Sequence, residues 1–178
     1  ARTLAVGGRR GLYLIDARTR EQLAETFLGG VVTQLAFTKS GSRLVVLTAV
    51  KDSDARITIR DAATLRPIGP SIEPETFLGA TVGFRFAAPH FVLTPDDRWL
   101  VTTGDDDENA LLWNLTVADP SAAPVILRGH KGKVWRAAIS PDNHWLVTSA
   151  RNENTALLWD LTKLDPSLAP IVLRGPVF

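Results

Sequence analysis

Three histidines, His90, His130 and His144, are the side chains best suited to proton transfer near neutral pH. A nucleophilic triad would pair one of them with a serine on a sharp strand-to-helix turn. The chain has no Gly-x-Ser-x-Gly segment to supply it. Gly129-His130-Lys131-Gly132-Lys133 has the residue types of a phosphate loop but not the Gly-x4-Gly-Lys-Ser/Thr spacing. It precedes a strand-forming run rather than a helix, so it reads as a tight connection. The run Asp105-Asp106-Asp107-Glu108 could gather a cation. It lacks the alternating oxygen ligands and distal Glu of a calcium loop and reads as a solvated turn. There is no cysteine, which excludes disulfides, thiolate zinc sites and a thiol nucleophile. The expectation is therefore a chain with no catalytic residue, no cofactor and no metal, and not an enzyme.

The elements that position these residues repeat. Thr94–Gly129 aligns without a gap on Ser140–Gly175 at an offset of 46, with 20 of 36 pairs identical. The shared frame runs Pro-Asp, Trp-Leu-Val-Thr, a polar loop, Ala-Leu-Leu-Trp, Leu-Thr, Asp-Pro-Ser, Ala-Pro and Leu-Arg-Gly. Weaker copies precede it. Leu14-Ile15-Asp16 and Ile59-Arg60-Asp61 stand where the strong copies have Leu112-Trp113-Asn114 and Leu158-Trp159-Asp160. The successive intervals between Asp16, Asp61, Asn114 and Asp160 are 45, 53 and 46 residues. Such a period marks about four units, with an insertion near Ile72–Arg85.

Each unit reads as short strands. In the last, Val134–Ile139, Trp145–Ser149, Thr155–Trp159 and Pro170–Leu173 are rich in branched and aromatic residues. Ser140-Pro141-Asp142-Asn143, Arg151–Asn154 and an Asp-Pro break punctuate them. Ala156-Leu157-Leu158-Trp159 does not alternate, as expected of a sheet covered on both faces. No stretch has sustained helical periodicity. The 178 residues are 45% hydrophobic, enough for a folded core. Twenty basic residues face 19 acidic ones, a net charge of +1 with the charges interspersed, so neither nucleic acid nor an anionic membrane is an expected partner. No apolar run approaches a membrane span, and the absence of cysteine accommodates a cytoplasmic setting.

Four strands per unit of about 40–45 residues, a Gly-His near the start and a Trp-Asp closing the third strand resemble the WD40-repeat β-propeller family. The last unit has Gly129-His130 and Trp159-Asp160, 29 residues from His to Trp, and the Ser140-Pro141-Asp142 turn. The resemblance covers nearly the whole chain and is strongest from Thr94 onward. Near-identical tandem units of this kind are similar to those of large bacterial multidomain signalling proteins. The resemblance implies an all-β propeller of four-stranded antiparallel blades, about four of them in one segment spanning 1–178, with approximate units 1–27, 28–70, 71–129 and 130–178. Both ends fall mid-blade, so the expected context is a larger propeller or one completed by self-association.

The same resemblance implies a structural network of His130, Ser149, Glu153 and Trp159. Glu153 stands where the family has Asp, and its longer arm puts closure of the network in doubt. In the preceding unit Thr103, Asp107 and Trp113 match, with Phe84 at the His position. In the second only Asp54 matches, since Arg60 and Leu28 replace the Trp and His. The resemblance also places a partner-binding top face at Trp135, Lys133 and Asn152, with Asp106 in the third unit and Val31, Thr33 and Ser53 in the second. Trp135 has an alternative reading as packing at a blade edge. The implied function is a non-catalytic interaction scaffold or sensor module whose partners are other proteins or other domains of a larger chain. The alternatives are a lectin-like propeller binding a small ligand or glycan, and a propeller enzyme with a site in the central channel.

Overall fold

The computed structural model describes residues 3–9, 11–49, 55–73, 90–103, 108–163 and 165–175. Every regular element among them is a β-strand. Two units divide the chain, residues 1–83 and 84–178. The first holds two three-stranded antiparallel sheets. One is β1 (Thr3–Gly7), β2 (Leu12–Asp16) and β3 (Gln22–Thr26); the other is β4 (Val31–Phe37), β5 (Arg43–Ala49) and β6 (Ala55–Asp61). The second unit holds two four-stranded antiparallel sheets. These are β7 (His90–Leu93), β8 (Trp99–Thr103), β9 (Ala110–Asn114) and β10 (Val125–Leu127), then β11 (Val134–Ile139), β12 (Trp145–Ala150), β13 (Thr155–Asp160) and β14 (Ile171–Arg174). The all-β class and the antiparallel blades expected from the repeat are present. The strands of the last unit begin and end within one residue of their expected bounds.

The β4–β6 sheet shows how a fourth strand is lost. Ile72 exchanges both backbone hydrogen bonds with Ile57, each 2.9 Å, and Pro67 bridges Arg60, but no ladder extends between them. Pro67 and Pro70 have no N–H to donate, so the segment makes isolated bridges instead of a strand. Most of the expected insertion lies outside the described residues.

The turns explain the repeat markers. Between the first two strands of three sheets, a hydroxyl accepts the amide that re-enters the sheet. The bonds are Arg43 N–H to Thr38 (3.2 Å), Trp99 N–H to Thr94 (2.8 Å) and Trp145 N–H to Ser140 (2.8 Å). Each turn needs a left-handed residue, supplied by Gly41, Asp97 and Asn143 with φ of 72°, 61° and 63°. Gly, Asp and Asn adopt that conformation at least cost. After the third strand, Asp16, Asp61, Asn114 and Asp160 accept the amide N–H of Arg18, Ala63, Thr116 and Thr162 through their side chains at 2.7–3.1 Å. The Asp of each marker is thus an Asx-turn acceptor.

Each unit has its own core. In the first, Leu12 and Leu14 pack with Leu44, Val46 and Leu65. In the second, Trp99, Val101, Leu112 and Leu127 pack with Val134, Leu146, Leu157 and Trp159. Equivalent repeat positions differ in cover. Leu127 in β10 is fully buried, whereas Leu173 in β14 is 44% exposed.

Candidate functional site

At the end of the β11–β14 sheet a chain of hydrogen bonds crosses from core to loop. The Trp159 indole N–H donates to the Thr148 hydroxyl at 2.9 Å. Thr148 lies 2.9 Å from His130 Nε2, and His130 Nδ1 lies 3.0 Å from a Glu153 carboxylate oxygen. One proton arrangement satisfies all four groups. With the indole donating to Thr148, the hydroxyl donates to Nε2, and a neutral imidazole donates from Nδ1 to Glu153. Glu153 also accepts the Lys131 amide, the Gly132 amide (2.5 Å) and the Thr155 hydroxyl (2.9 Å). The doubt about its longer arm is resolved: Glu153 closes the network.

The hydroxyl is a correction to the expected set. It belongs to Thr148, not Ser149. Strand residues alternate faces. Thr148 pairs with Leu157 and shares its face with Trp159 and Leu146, while Ser149 pairs with Ala156 on the opposite face. The same shift holds one sheet earlier, where Trp113 donates to Thr102 at 3.0 Å. Thr103 is displaced there, and its buried hydroxyl has no hydrogen-bond partner among the described residues. Arg60, at the Trp position of the second sheet, is buried and donates to the Leu65 carbonyl at 2.7 Å. Burial lowers its pKa. Asp54, Asp107 and Phe84 lie outside the described residues.

Burial alone would raise the pKa of Glu153. The His130 hydrogen bond, then those of the Lys131 amide, Thr155 and the Gly132 amide, outweigh it and hold the carboxyl at about 2 rather than 4.5. A depressed folded-state pKa gives stability that is complete above about 4.5 and lost as pH falls toward 2. The full shift corresponds to roughly 3 kcal/mol, and screening at the sheet's rim reduces it to about 1–2 kcal/mol. Glu153→Gln is expected to cost that much at neutral pH and only about a quarter of it near pH 2.5. Urea unfolding at both pH values checks this; a gap that does not shrink in acid would refute it.

The expected top-face residues divide between the units. In the first, Val31 and Thr33 are exposed, and Thr33 donates to the Leu47 carbonyl at 3.4 Å. In the second, Lys133, Trp135 and Asn152 are exposed, Trp135 at 38%. Ser53 and Asp106 lie outside the described residues. Trp135 sits in a β-bulge, where the β11–β12 register shifts between Val134 and Arg136. Thr33 occupies the matching bulge between Val32 and Gln34. A bulge breaks the alternation and re-aims a side chain. Val134 is therefore buried while Trp135 and Arg136 are both exposed. Arg136 and Arg151 place their guanidinium carbons 5.1 and 5.4 Å from the Trp135 ring centre. The charge on Arg136 also reaches His90, whose pKa is lowered first by burial and then by that charge. His90 Nδ1 is buried without a hydrogen-bond partner among the described residues. Neither the bulge nor Arg136 was part of the expected site.

Among the described residues, no group of three or more His, Asp or Glu side chains is placed to hold a metal ion. No helix among them is long and apolar enough to cross a membrane.

A sequence model described as "WD domain, G-beta repeat" matches residues 124–160. Residues 124–160 are similar to a WD40 repeat. The WD40 match runs from β10 through β13, so the sequence repeat is staggered against the sheets. It opens with the last strand of one blade and closes with the third strand of the next. No curated protein sequence matches the chain. Among solved structures, hydrazine synthase of Kuenenia stuttgartiensis is similar over 91% of this chain and 50% of its own, with 13% identity and a TM-score of 0.64. A dihydro-heme d1 dehydrogenase, NirN, in complex with DHE, is similar over 97% of this chain and 35% of its own, with 17% identity and a TM-score of 0.69. This chain thus spans half or less of each. At such identities the likeness shows the fold alone, that of propeller-type blades. It also corrects one expectation. Both proteins are enzymes by name, so the reading of this chain as not an enzyme, drawn from a missing catalytic motif, does not stand.

Proposed function

We propose that the chain is a protein-interaction module, a scaffold or sensor segment of a larger regulatory protein, which captures partners at the exposed end of the β11–β14 sheet. WD40 repeats support an interaction scaffold at a coarse level. The observation that carries the finer reading is Trp135, an indole left in solvent by a bulge and braced by two arginines. Large aromatics and arginines in such settings are the residue types that dominate interface energetics. The partners are other proteins or other domains of the same chain, in the cytoplasmic setting that the lack of cysteine accommodates.

Affinity capture with quantified recovery tests this. Trp135→Ala combined with Lys133→Glu is expected to lose about nine-tenths or more of the recovery of at least one specific partner, in line with a hot-spot truncation. Ser167→Ala, in a distant Asx turn, should leave recovery unchanged. Equal recovery of every partner by all three proteins would exclude this surface.

A further inference from the structure

We infer that this chain pairs head to tail with a second copy of itself, the open face of the β1–β3 sheet in one copy covering the open face of the β11–β14 sheet in the other. The inference does not use Trp135 and adds a partner that the chain itself supplies.

The second unit contains its own reference for this contact. On one face of the β7–β10 sheet, cross-strand pairing aligns Trp99, Val101, Ala110, Leu112, Val125 and Leu127. They pack against the β11–β14 sheet, and all but Val125 are buried. At the offset of 46, the β11–β14 sheet carries Trp145, Val147, Ala156, Leu158, Ile171 and Leu173, identical except for Ile171 in place of Val125. The same pairing sets them on one face. None of these six is buried, and Ile171 is 50% exposed. One apolar pattern is thus covered in one sheet and open in the next. Inner faces of packed sheets interdigitate, so the open pattern fits a sheet of the kind that covers its counterpart.

The first sheet presents that kind of face. Thr3 pairs with Asp16 as Trp145 pairs with Asp160. In this register Leu4, Tyr13 and Ile15 stand where Leu146, Leu157 and Trp159 stand in the last sheet. Those three are the side chains through which the last sheet meets the sheet before it. Val6 pairs with Tyr13 and shares the face. Leu4 and Val6 are exposed, Leu4 by 54%, and Tyr13 and Ile15 are half-buried. The opposite face is filled, with Leu12 and Leu14 packed on Leu44 and Val46.

Among the described residues, the first and last sheets therefore each have one filled face and one open face, and the open faces are of opposite kinds. One matches a face that follows a sheet, the other a face that precedes one. Contiguous apolar faces left in solvent mark interaction surfaces. Each copy carries both halves of the contact, so a second copy needs no further component. A contact between unlike faces is heterologous. Two copies that cover each other close a pair, and any larger assembly uses the same contact.

Sedimentation equilibrium of the 178-residue chain, between roughly 1 μM and 0.5 mM, is expected to show association that grows with concentration. Leu173→Asp on one face and Leu4→Asp on the other each place a charge in an apolar contact and should weaken association about a hundredfold or more. Both side chains are exposed, and an unchanged circular dichroism spectrum verifies folding. Ile171→Asp and Val6→Asp replace a variant that fails this check. Head-to-tail pairing makes one further demand. The two variants, mixed, bring one intact face each and should associate again, more weakly than the unaltered chain. A monomer throughout the range overturns the inference. Association that survives either variant overturns it in favour of like faces meeting. A mixture that stays monomeric overturns the head-to-tail arrangement.

Discussion

Trp159→Ala is expected to destabilise the chain by about 3–5 kcal/mol, the usual range for removing a fully buried aromatic side chain. Trp159 is 1% exposed and sits in the cluster with Leu127, Val134, Leu146 and Leu157. Truncation opens a cavity among side chains fixed by two sheets, which relax poorly because strand registers hold them. It also removes the donor at the start of the hydrogen-bond chain. Trp145, at the start of the neighbouring strand, gives the contrast. It is half-buried and stacked on His144 with ring centres 4.5 Å apart, so its loss should cost distinctly less. Urea unfolding followed by circular dichroism measures both. A cost below about 1 kcal/mol for Trp159→Ala would mean that the core tolerates the cavity and that the WD40 Trp is not its anchor.

Much of the fold was legible because turns, not strands, carry its punctuation. Asp16, Asp61, Asn114 and Asp160 recur because each caps the same loop, and Ser140, Asp97 and Asn143 because the first turn needs a hydroxyl and a left-handed residue. These demands are local, so they leave fixed spacings in the chain. Three features were not legible for reasons equally physical. The bulges at Thr33 and Trp135 leave no compositional mark, since an added residue in a strand looks like any other strand residue. The cationic cluster at residues 128–136 is diluted by acids elsewhere, and net charge averages it away. The exposure of Leu173 beside the burial of its counterpart Leu127 depends on whether a sheet packs there, which no residue of β14 encodes. Function was legible least. A missing catalytic motif does not establish a missing activity, since blades of this type also occur in proteins named as a synthase and a dehydrogenase.

Strand parity decides which hydroxyl the Trp159 indole can reach. Trp159 is in β13, and a strand residue can bond across the sheet only to the face it occupies. Counting by twos from Trp159 gives Leu157, whose cross-strand partner is Thr148. Ser149 fails that parity test, as Thr103 does against Trp113. Thr148→Val keeps the shape and a good strand former but deletes the hydroxyl shared by the indole and the imidazole. Two buried polar groups then lose their partner, at about 1–3 kcal/mol each, so a loss of about 2–6 kcal/mol is expected. Thr102→Val removes one such bond among the described residues, to Trp113, and should cost about half as much. Ser149→Ala should stay within about 0.5 kcal/mol. The three values, taken from urea midpoints at neutral pH, test the network by their order. If Ser149→Ala costs as much as Thr148→Val, the hydrogen-bond chain from Trp159 to Glu153 is not what holds this end of the sheet.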